Sequence, residues 1–209
     1  MTVIGICGCT ALIVAGFGLK DSISGIMDFQ YVDIYDYDML IGLKNTLTED
    51  EKTNLIQDLE NKNEIEKCVT SHMFAGDIKS SNYKEEAQVM VIKNSQTLEE
   101  IVKLKSLKNG QKLELNENEV IITDKLSQLL NVKVGDEITI TDSDDKEVRV
   151  KISGITEHYI SHYVYMTDKL YEKLYNEIPN TNVIFAKYSE KIDEEAESKL
   201  SKELLVNSK

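Results

Sequence analysis

The sequence predicts an α+β protein: an apolar N-terminal helix followed by an acidic domain in which two β-α-β patterns enclose a β-rich stretch. Three observations carry that reading. Met1 to Leu19 holds no charged side chain, the chain from Lys20 onward holds all of the formal charge of −13, and beyond Tyr31 the hydrophobic period switches repeatedly between two and 3.6.

As a helix rising about 1.5 Å per residue, Met1 to Leu19 would cover about 28 Å, close to the ~30 Å of a bilayer's hydrocarbon core. Its only hydroxyls, Thr2 and Thr10, can bond back to helix carbonyls. A secretory signal would open on a basic stretch, and no basic residue precedes Thr2. Ile6-Cys7-Gly8-Cys9 echoes a lipoprotein cleavage box, but the apolar run lies mostly after Cys9 instead of before it. A buried helix of a soluble domain would carry a polar face, which this one lacks. Gly5 and Cys9, and Ala11 and Ala15, repeat at i, i+4 with Gly8, Gly16 and Gly18 among them. That spacing lets helices approach in lipid, although glycine is in any case commoner in membrane helices. With no Lys or Arg upstream of Thr2 the charge pattern does not fix an orientation, and so abrupt a start reads as a truncated chain. Ile23, Ile26 and Met27 prolong the helical spacing, so residues 1–28 are expected to form a membrane helix and a stalk.

The remaining elements follow in order. Val32, Ile34, Tyr35, Tyr37, Met39 and Ile41 read as a long strand from Tyr31 to Gly42. Thr48 with Glu49, Asp50 and Glu51 spells a capping box, opening a helix to about Lys62 with Leu55, Ile56 and Leu59 inward. Glu66 to Ile78 is the next strand, completing a β-α-β unit. Ala87 to Ile92 has the continuous apolar character of a strand covered on both faces. Leu98 to Leu107 reads as a short helix, Leu113 and Leu115 as the start of a strand, and Val120 to Thr123 as another strand running through Asp124 into a helix with Leu126, Leu129 and Leu130. Val134 to Ile140 supplies a turn and a strand, Asp142 to Lys146 a hairpin loop and Val148 to Ile155 the return strand. Tyr163 to Met166 is a strand, Leu170, Tyr171, Leu174 and Tyr175 lie at helical spacing, Asn182 to Lys187 is a strand, and Ile192 to Leu205 a charged helix.

Composition excludes some functions. An acidic surface repels phosphate backbones and anionic headgroups, so neither nucleic acid nor flat adsorption on a membrane is expected. One proline, Pro179, and no Gly/Ser tract leave no flexible linker, and there is no internal repeat. Cys7, Cys9 and Cys68 build no disulfide framework, which fits a bacterial surface or a cytoplasmic setting.

Candidate chemistry is sparse. His158 and His162 have H-x3-H spacing, but Thr156 to Met166 reads as extended, which would set them about 13 Å apart, too far for one ion. They read as polar histidines at a strand edge. Cys68 has His72 four residues on but no nucleophile signature. Asp33, Asp36 and Asp38 miss the EF-hand pattern and read as a solvated strand face. No catalytic, cofactor-binding or metal site is therefore assigned, and no cofactor is expected. Two tyrosine groups stand out: Tyr31, Tyr35 and Tyr37 beyond the stalk, and Tyr159, Tyr163 and Tyr165 before the late helix. Tyr35 and Tyr37 share a parity, as do Tyr163 and Tyr165, which suits either core packing or a partner surface.

Taken together, Thr2 to Ile6, Gly16 to Ile23, the strand Asp33 to Leu40, Asn118 to Ile140 with its Val134-Gly135-Asp136 turn, and Tyr159 to Met166 resemble the FtsX/MacB-type ABC transporter permeases, the Firmicutes versions above all. The resemblance spans essentially the whole chain. It implies a first transmembrane helix and stalk (1–28) and a two-lobed extracytoplasmic domain, with a β-α-β lobe from both chain ends (29–80 and 160–209) and an inserted β-rich lobe (81–159). It further implies a cell-membrane location with residues after about 20 outside the cytoplasm, a cytoplasmic ABC ATPase as partner, further permease helices, and a homodimer or pseudo-dimer in the membrane. An extracellular protein or peptide partner belongs to the same picture. No G-x-x-x-x-G-K-[ST] phosphate loop occurs, so ATP hydrolysis is expected in a separate subunit and the chain itself is not expected to be an enzyme. In such permeases the ATPase drives the helices and the outer domain moves, for export, lipoprotein release, antimicrobial peptide resistance or cell-wall hydrolase control. Two other readings are a single-pass surface sensor or adhesin without transport activity, and a tethered hydrolase, which would need a convergent cluster of titratable residues.

Overall fold

The structure, a computed structural model, describes residues 2–44 and 46–189. The expected helix over Ile192 to Leu205 lies outside the described residues.

Helix α1 (Thr2–Asp28) is unbroken, and its side chains from Cys7 to Met27 are exposed, Gly25 alone being half-covered. By length and composition it is long and apolar enough to cross a membrane. The fold class is that expected from the sequence, an apolar N-terminal helix followed by a sheet-rich α+β domain.

The segment after α1 departs from the sequence reading. Phe29–Ile34 is a π-helical turn, closed by the Tyr35 N–H donating to the Gln30 carbonyl at 2.9 Å, and the strand expected from Tyr31 is confined to β1 (Met39–Gly42). The apolar alternation that suggests a strand is real only from Tyr35 onward. Before it, Gln30 and Ile34 are buried at a helical interval.

Helix α2 (Glu49–Glu60) opens on the expected capping box: the Glu51 N–H donates to Thr48 Oγ1 at 3.3 Å and the Thr48 N–H to the Glu51 carboxylate at 2.8 Å. The Thr48 N–H, and the Thr48 hydroxyl that also donates to it, hold the Glu51 carboxyl below its ordinary range. Strand β2 (Ile65–Ser80) is long and plays two parts. Its first half, through Ser71, pairs with β8 (Val183–Tyr188), and from His72 it forms a hairpin with β3 (Tyr83–Ile92). Strand β1 adds to the far side of β8. Helix α2 covers this small sheet, packing Leu55 and Leu59 on Ile65, Ile184 and Ala186.

The remaining strands close on themselves. Strands β4 (Glu119–Thr123), β5 (Glu137–Thr141), β6 (Glu147–Thr156) and β7 (Tyr163–Thr167) follow β2 and β3 in the order β2-β3-β7-β4-β6-β5, and β5 returns to pair with Asp77–Lys79 of β2. Closure brings backbones close at Gly76, where a Cβ would meet the Thr141 carbonyl oxygen at 3.1 Å, so glycine is what fits. The interior holds Ile78, Val89, Val91, Val120, Ile122, Ile138, Ile140, Ile152 and Val164, with α4 (Asp124–Leu130) and α5 (Asp168–Tyr175) packed on the same core. The turn before β5 uses Gly135 at φ +94°, a left-handed conformation open to glycine. Strand β7, which chain order groups with the late β-α-β pattern, lies between β3 and β4 in this closed sheet, whereas β8 joins β1 and β2.

Two expected elements differ. The helix over Leu98 to Leu107 shrinks to α3 (Ser95–Glu99), after which Val102 and Leu104 point inward and Lys103 and Lys105 outward, a period of two that lets the chain bridge to Tyr35 and Thr156. No strand starts at Leu113. Instead the Asn116 side chain accepts from the Asn118 and Glu119 N–H groups and turns the chain into β4.

Candidate functional site

The chain's unusual chemistry collects where α1 meets the domain. The π-helical turn inserts one extra residue per hydrogen-bonded loop, and this widened turn directs Gln30 and Ile34 into the domain while Phe29, Tyr31 and Val32 stay exposed. Gln30 is fully buried. Its Oε1 accepts from the Tyr159 N–H at 2.8 Å, and its Nε2 lies 3.1 Å from Nε2 of His158. Since the Tyr159 N–H fixes which end of the amide is the acceptor, the Gln30 NH2 must donate to His158, and the imidazole must be neutral with its proton on Nδ1. Burial agrees: it pushes the His158 pKa down to about 4 against the opposing pull of the Ile160 and Ser161 backbone, with His162 lowering it slightly further.

Past the turn the chain is held on two more sides. The Asp36 N–H donates to the Ile101 carbonyl and the Lys103 N–H to the Ile34 carbonyl, both at 2.8 Å. On the other side the Asp38 N–H donates to the Ala186 carbonyl, and the Asp38 carboxylate accepts from the Tyr188 N–H. Lys187 reaches the Asp36 carboxylate at 2.6 Å and Lys103 reaches it at 3.3 Å. These lysines, Lys187 first, keep the Asp36 carboxyl below its ordinary range.

An aromatic cluster fills the joint. Tyr35 packs edge-on against Tyr31 and His158 and tilted against Tyr37, and Tyr163 lies 5.0 Å from His158 and stacks on Tyr165 at 5.6 Å. Tyr35 and Tyr37 of the first tyrosine group thus meet Tyr163 and Tyr165 of the second in one core. Burial raises the pKa of Tyr35 and Tyr165, and Tyr37 is raised to about 12. All three stay protonated and act as packing, not as acids. Phe29 and Tyr159 cover the outside, 6.1 Å apart, with the Tyr159 hydroxyl donating to Glu157.

The other candidates fall out as follows. Residues 157–162 form a loop with Ser161 left-handed at φ 63°, not an extended strand, and His158 is buried in the joint instead of lying at a strand edge. Cys68 is half-buried and its thiol is pushed up to about 11, mainly by burial, while His72 donates from Nδ1 to the Asn180 carbonyl and packs on Tyr171 and Phe74. Asp36 and Asp38 are structural anchors, and Asp33 lines a cavity of about 130 Å³ beside Phe29 and Tyr159. Among the described residues no group of three His, Cys, Asp or Glu side chains is placed to hold a metal. Gln30 is the residue that sequence reasoning missed. Its one signal is a lone amide between the apolar end of α1 and the tyrosines, at a position assigned there to neither helix nor strand.

The comparison that decides the family is with the MacB-like periplasmic core domain, whose family model matches residues 1–203. The chain belongs to this family. It is a periplasmic core domain of a MacB-like ABC transporter permease, a transporter component. Among solved structures, the periplasmic region of MacB from Actinobacillus actinomycetemcomitans is 14% identical, with a TM-score of 0.47 over 81% of this chain and 83% of that one. The extracellular domain of the noncanonic ABC-type transporter YknZ from Gram-positive bacteria is 12% identical, with a TM-score of 0.48 over 72% and 82%. No curated protein matches the chain.

Proposed function

We propose that this chain is the first membrane helix, stalk and outer domain of a permease in which a separate cytoplasmic ABC ATPase drives the helix and the domain moves with it. The observation that carries the reading is the joint. The exit segment 29–38 bonds to the loop of 157–162, the segment of 101–103 and β8, which gives a displaced stalk three holds on the domain. In this reading residues 1–19 span the bilayer, residues after about 20 lie outside the cytoplasm, and further permease helices and a second permease copy or pseudo-copy complete the assembly. We also read two lobes. The smaller one is β1, β8, the first half of β2 and α2, the larger one is the closed sheet, and the division falls near Ser71 and His72, where β2 changes partner. The cargo or regulated partner, a peptide, lipoprotein or cell-wall enzyme, follows from the family and not from any pocket in this domain.

The test is to cut the lever without touching the domain. Ser22 and Ser24 are exposed on α1, and the Ser22 hydroxyl donates to the Gly18 carbonyl within the helix. Ser22→Pro or Ser24→Pro removes a helix hydrogen bond and clashes with the preceding turn, at about 3 kcal/mol or more. At equal surface expression the full-length permease carrying either change should fold yet lose its transport or signalling output. Full activity would instead mean a passive binding module, such as a surface sensor or adhesin.

A further inference from the structure

The amide of Gln30 has one end fixed as an acceptor by the Tyr159 N–H and offers only its NH2 to His158. A protonated His158 carries N–H on both ring nitrogens. It would then face the Gln30 NH2 donor to donor. Turning the amide over moves the clash to the Tyr159 N–H, so no orientation of Gln30 satisfies both partners once the ring is charged. Two bonds tie Gln30 of the exit turn to the β6–β7 loop, and both are made together only with neutral His158.

From this geometry we propose that the Gln30–His158 pair is an acid-released latch between the stalk and the outer domain. The surroundings supply no counter-charge to rescue it. The ring faces Tyr35 from the exit segment, Tyr163 from β7, and His162 and the Ile160 and Ser161 backbone from its own loop. His162 disfavours a second positive charge. The remaining charges nearby, Asp33 from the exit turn, Lys103 and Lys105 from the segment after α3 and Glu157 from the loop, line the adjoining cavity and sum to zero. Among the described residues no carboxylate pairs with His158.

The direction with pH follows from linkage. An imidazole ordinarily titrates near 6.5, and burial in the joint lowers this to about 4. The latch's contribution is therefore fully present above about pH 6.5 and is lost as the pH falls toward 4, weakening close to tenfold per pH unit and about 300-fold in all. Acidification of the outer surface would then loosen the stalk's hold on the β6–β7 loop, while its holds on β8 and on the segment 101–103 stay in place and the domain stays folded.

The inference rests on the coupling reading, and its test is separable from it. The full 209-residue chain would be placed in lipid nanodiscs with Cys7→Ser, Cys9→Ser and Cys68→Ala. Spin labels would be attached through Ser24→Cys on α1 and Lys108→Cys on the domain, both at exposed positions. The Ser24–Lys108 distance distribution should be narrow at pH 7.5 and broaden toward pH 4, while histidine NMR follows protonation of His158 over the same range. His158→Gln keeps an acceptor but cannot titrate, and should stay narrow at pH 4. Gln30→Glu offers acceptors to both the Tyr159 N–H and a protonated His158, and should also stay narrow. A wild-type distribution that remains narrow while His158 protonates would overturn the latch, as would broadening of both variants at the wild-type pH. The proline variants are assayed at pH 7.5, where the latch is closed, so either idea can fail without the other.

Discussion

Replacing Gln30 by alanine should loosen the joint while leaving the closed sheet intact. The side chain is fully buried and makes two hydrogen bonds, one accepted from the Tyr159 N–H at 2.8 Å and one to His158 at 3.1 Å. Each such bond is worth about 0.5–1.5 kcal/mol net, and the orphaned acceptor of a buried His158 adds about 1–3 kcal/mol. Allowing for overlap between these terms, the joint should weaken by about 2–4 kcal/mol, which is about 30- to 1,000-fold in its opening equilibrium. Native-state hydrogen exchange reads this directly. The amides of Tyr35, Asp36 and Lys103 bond across or next to the turn, to the carbonyls of Gln30, Ile101 and Ile34. These three should exchange faster by that factor, whereas Val89 and Ile122, in the core of the closed sheet, should not change. If Tyr35, Asp36 and Lys103 kept wild-type protection, or if Val89 accelerated equally, the joint would not be a separate unit and the coupling argument would lose its mechanical basis.

Two further changes probe the scaffold. Thr48→Ala removes the hydroxyl that caps the Glu51 N–H, leaves the backbone N–H at 48 to the Glu51 carboxylate, and should cost about 0.5–2 kcal/mol in urea unfolding, with faster exchange confined to the first turn of α2. Gly76→Ala forces a methyl to within 3.1 Å of the Thr141 carbonyl and should destabilise the closure of β2 on β5 by about 1–3 kcal/mol; an unchanged urea midpoint would show that the backbone there yields freely.

Much of the framework was legible because its signals are local. The capping box at Thr48, the alternation of β6, and the apolar run of β3 each depend on a few adjacent residues, and each element lies where those residues put it. The errors at the exit turn and after α3 share one cause. Phe29–Ile34 and Ile101–Leu104 take their shapes from each other, through the Tyr35 to Val102 bridge and the Lys103 to Ile34 bond, and a contact across nearly seventy residues leaves no periodicity in either partner. Likewise nothing near His158 in sequence announces Gln30, because the two are 128 residues apart. Tyrosine parity did carry information: Tyr163 and Tyr165 do stack, but that Tyr35 meets them follows from the path of the chain.

The same long-range origin explains why the joint suits the transmission of force. A contact made by local sequence alone would tie the stalk to one neighbouring element, and a pull would be spent in deforming that element. Here the exit segment bonds to β8 through Asp36 and Asp38, and to the loop between β6 and β7 through Gln30. The first belongs to the small sheet under α2 and the second to the closed sheet, and the two sheets are continuous through β2. A rotation of the stalk is therefore applied to both sheets at once, on either side of the strand that joins them. Releasing only the Gln30 contact would leave the stalk attached to the small sheet by Asp36 and Asp38 and to the segment 101–103 by the Asp36 and Lys103 amides. Loss of the Asp36 and Asp38 anchors would do the reverse, so the two holds can be separated by mutation and their shares of the transmitted motion compared.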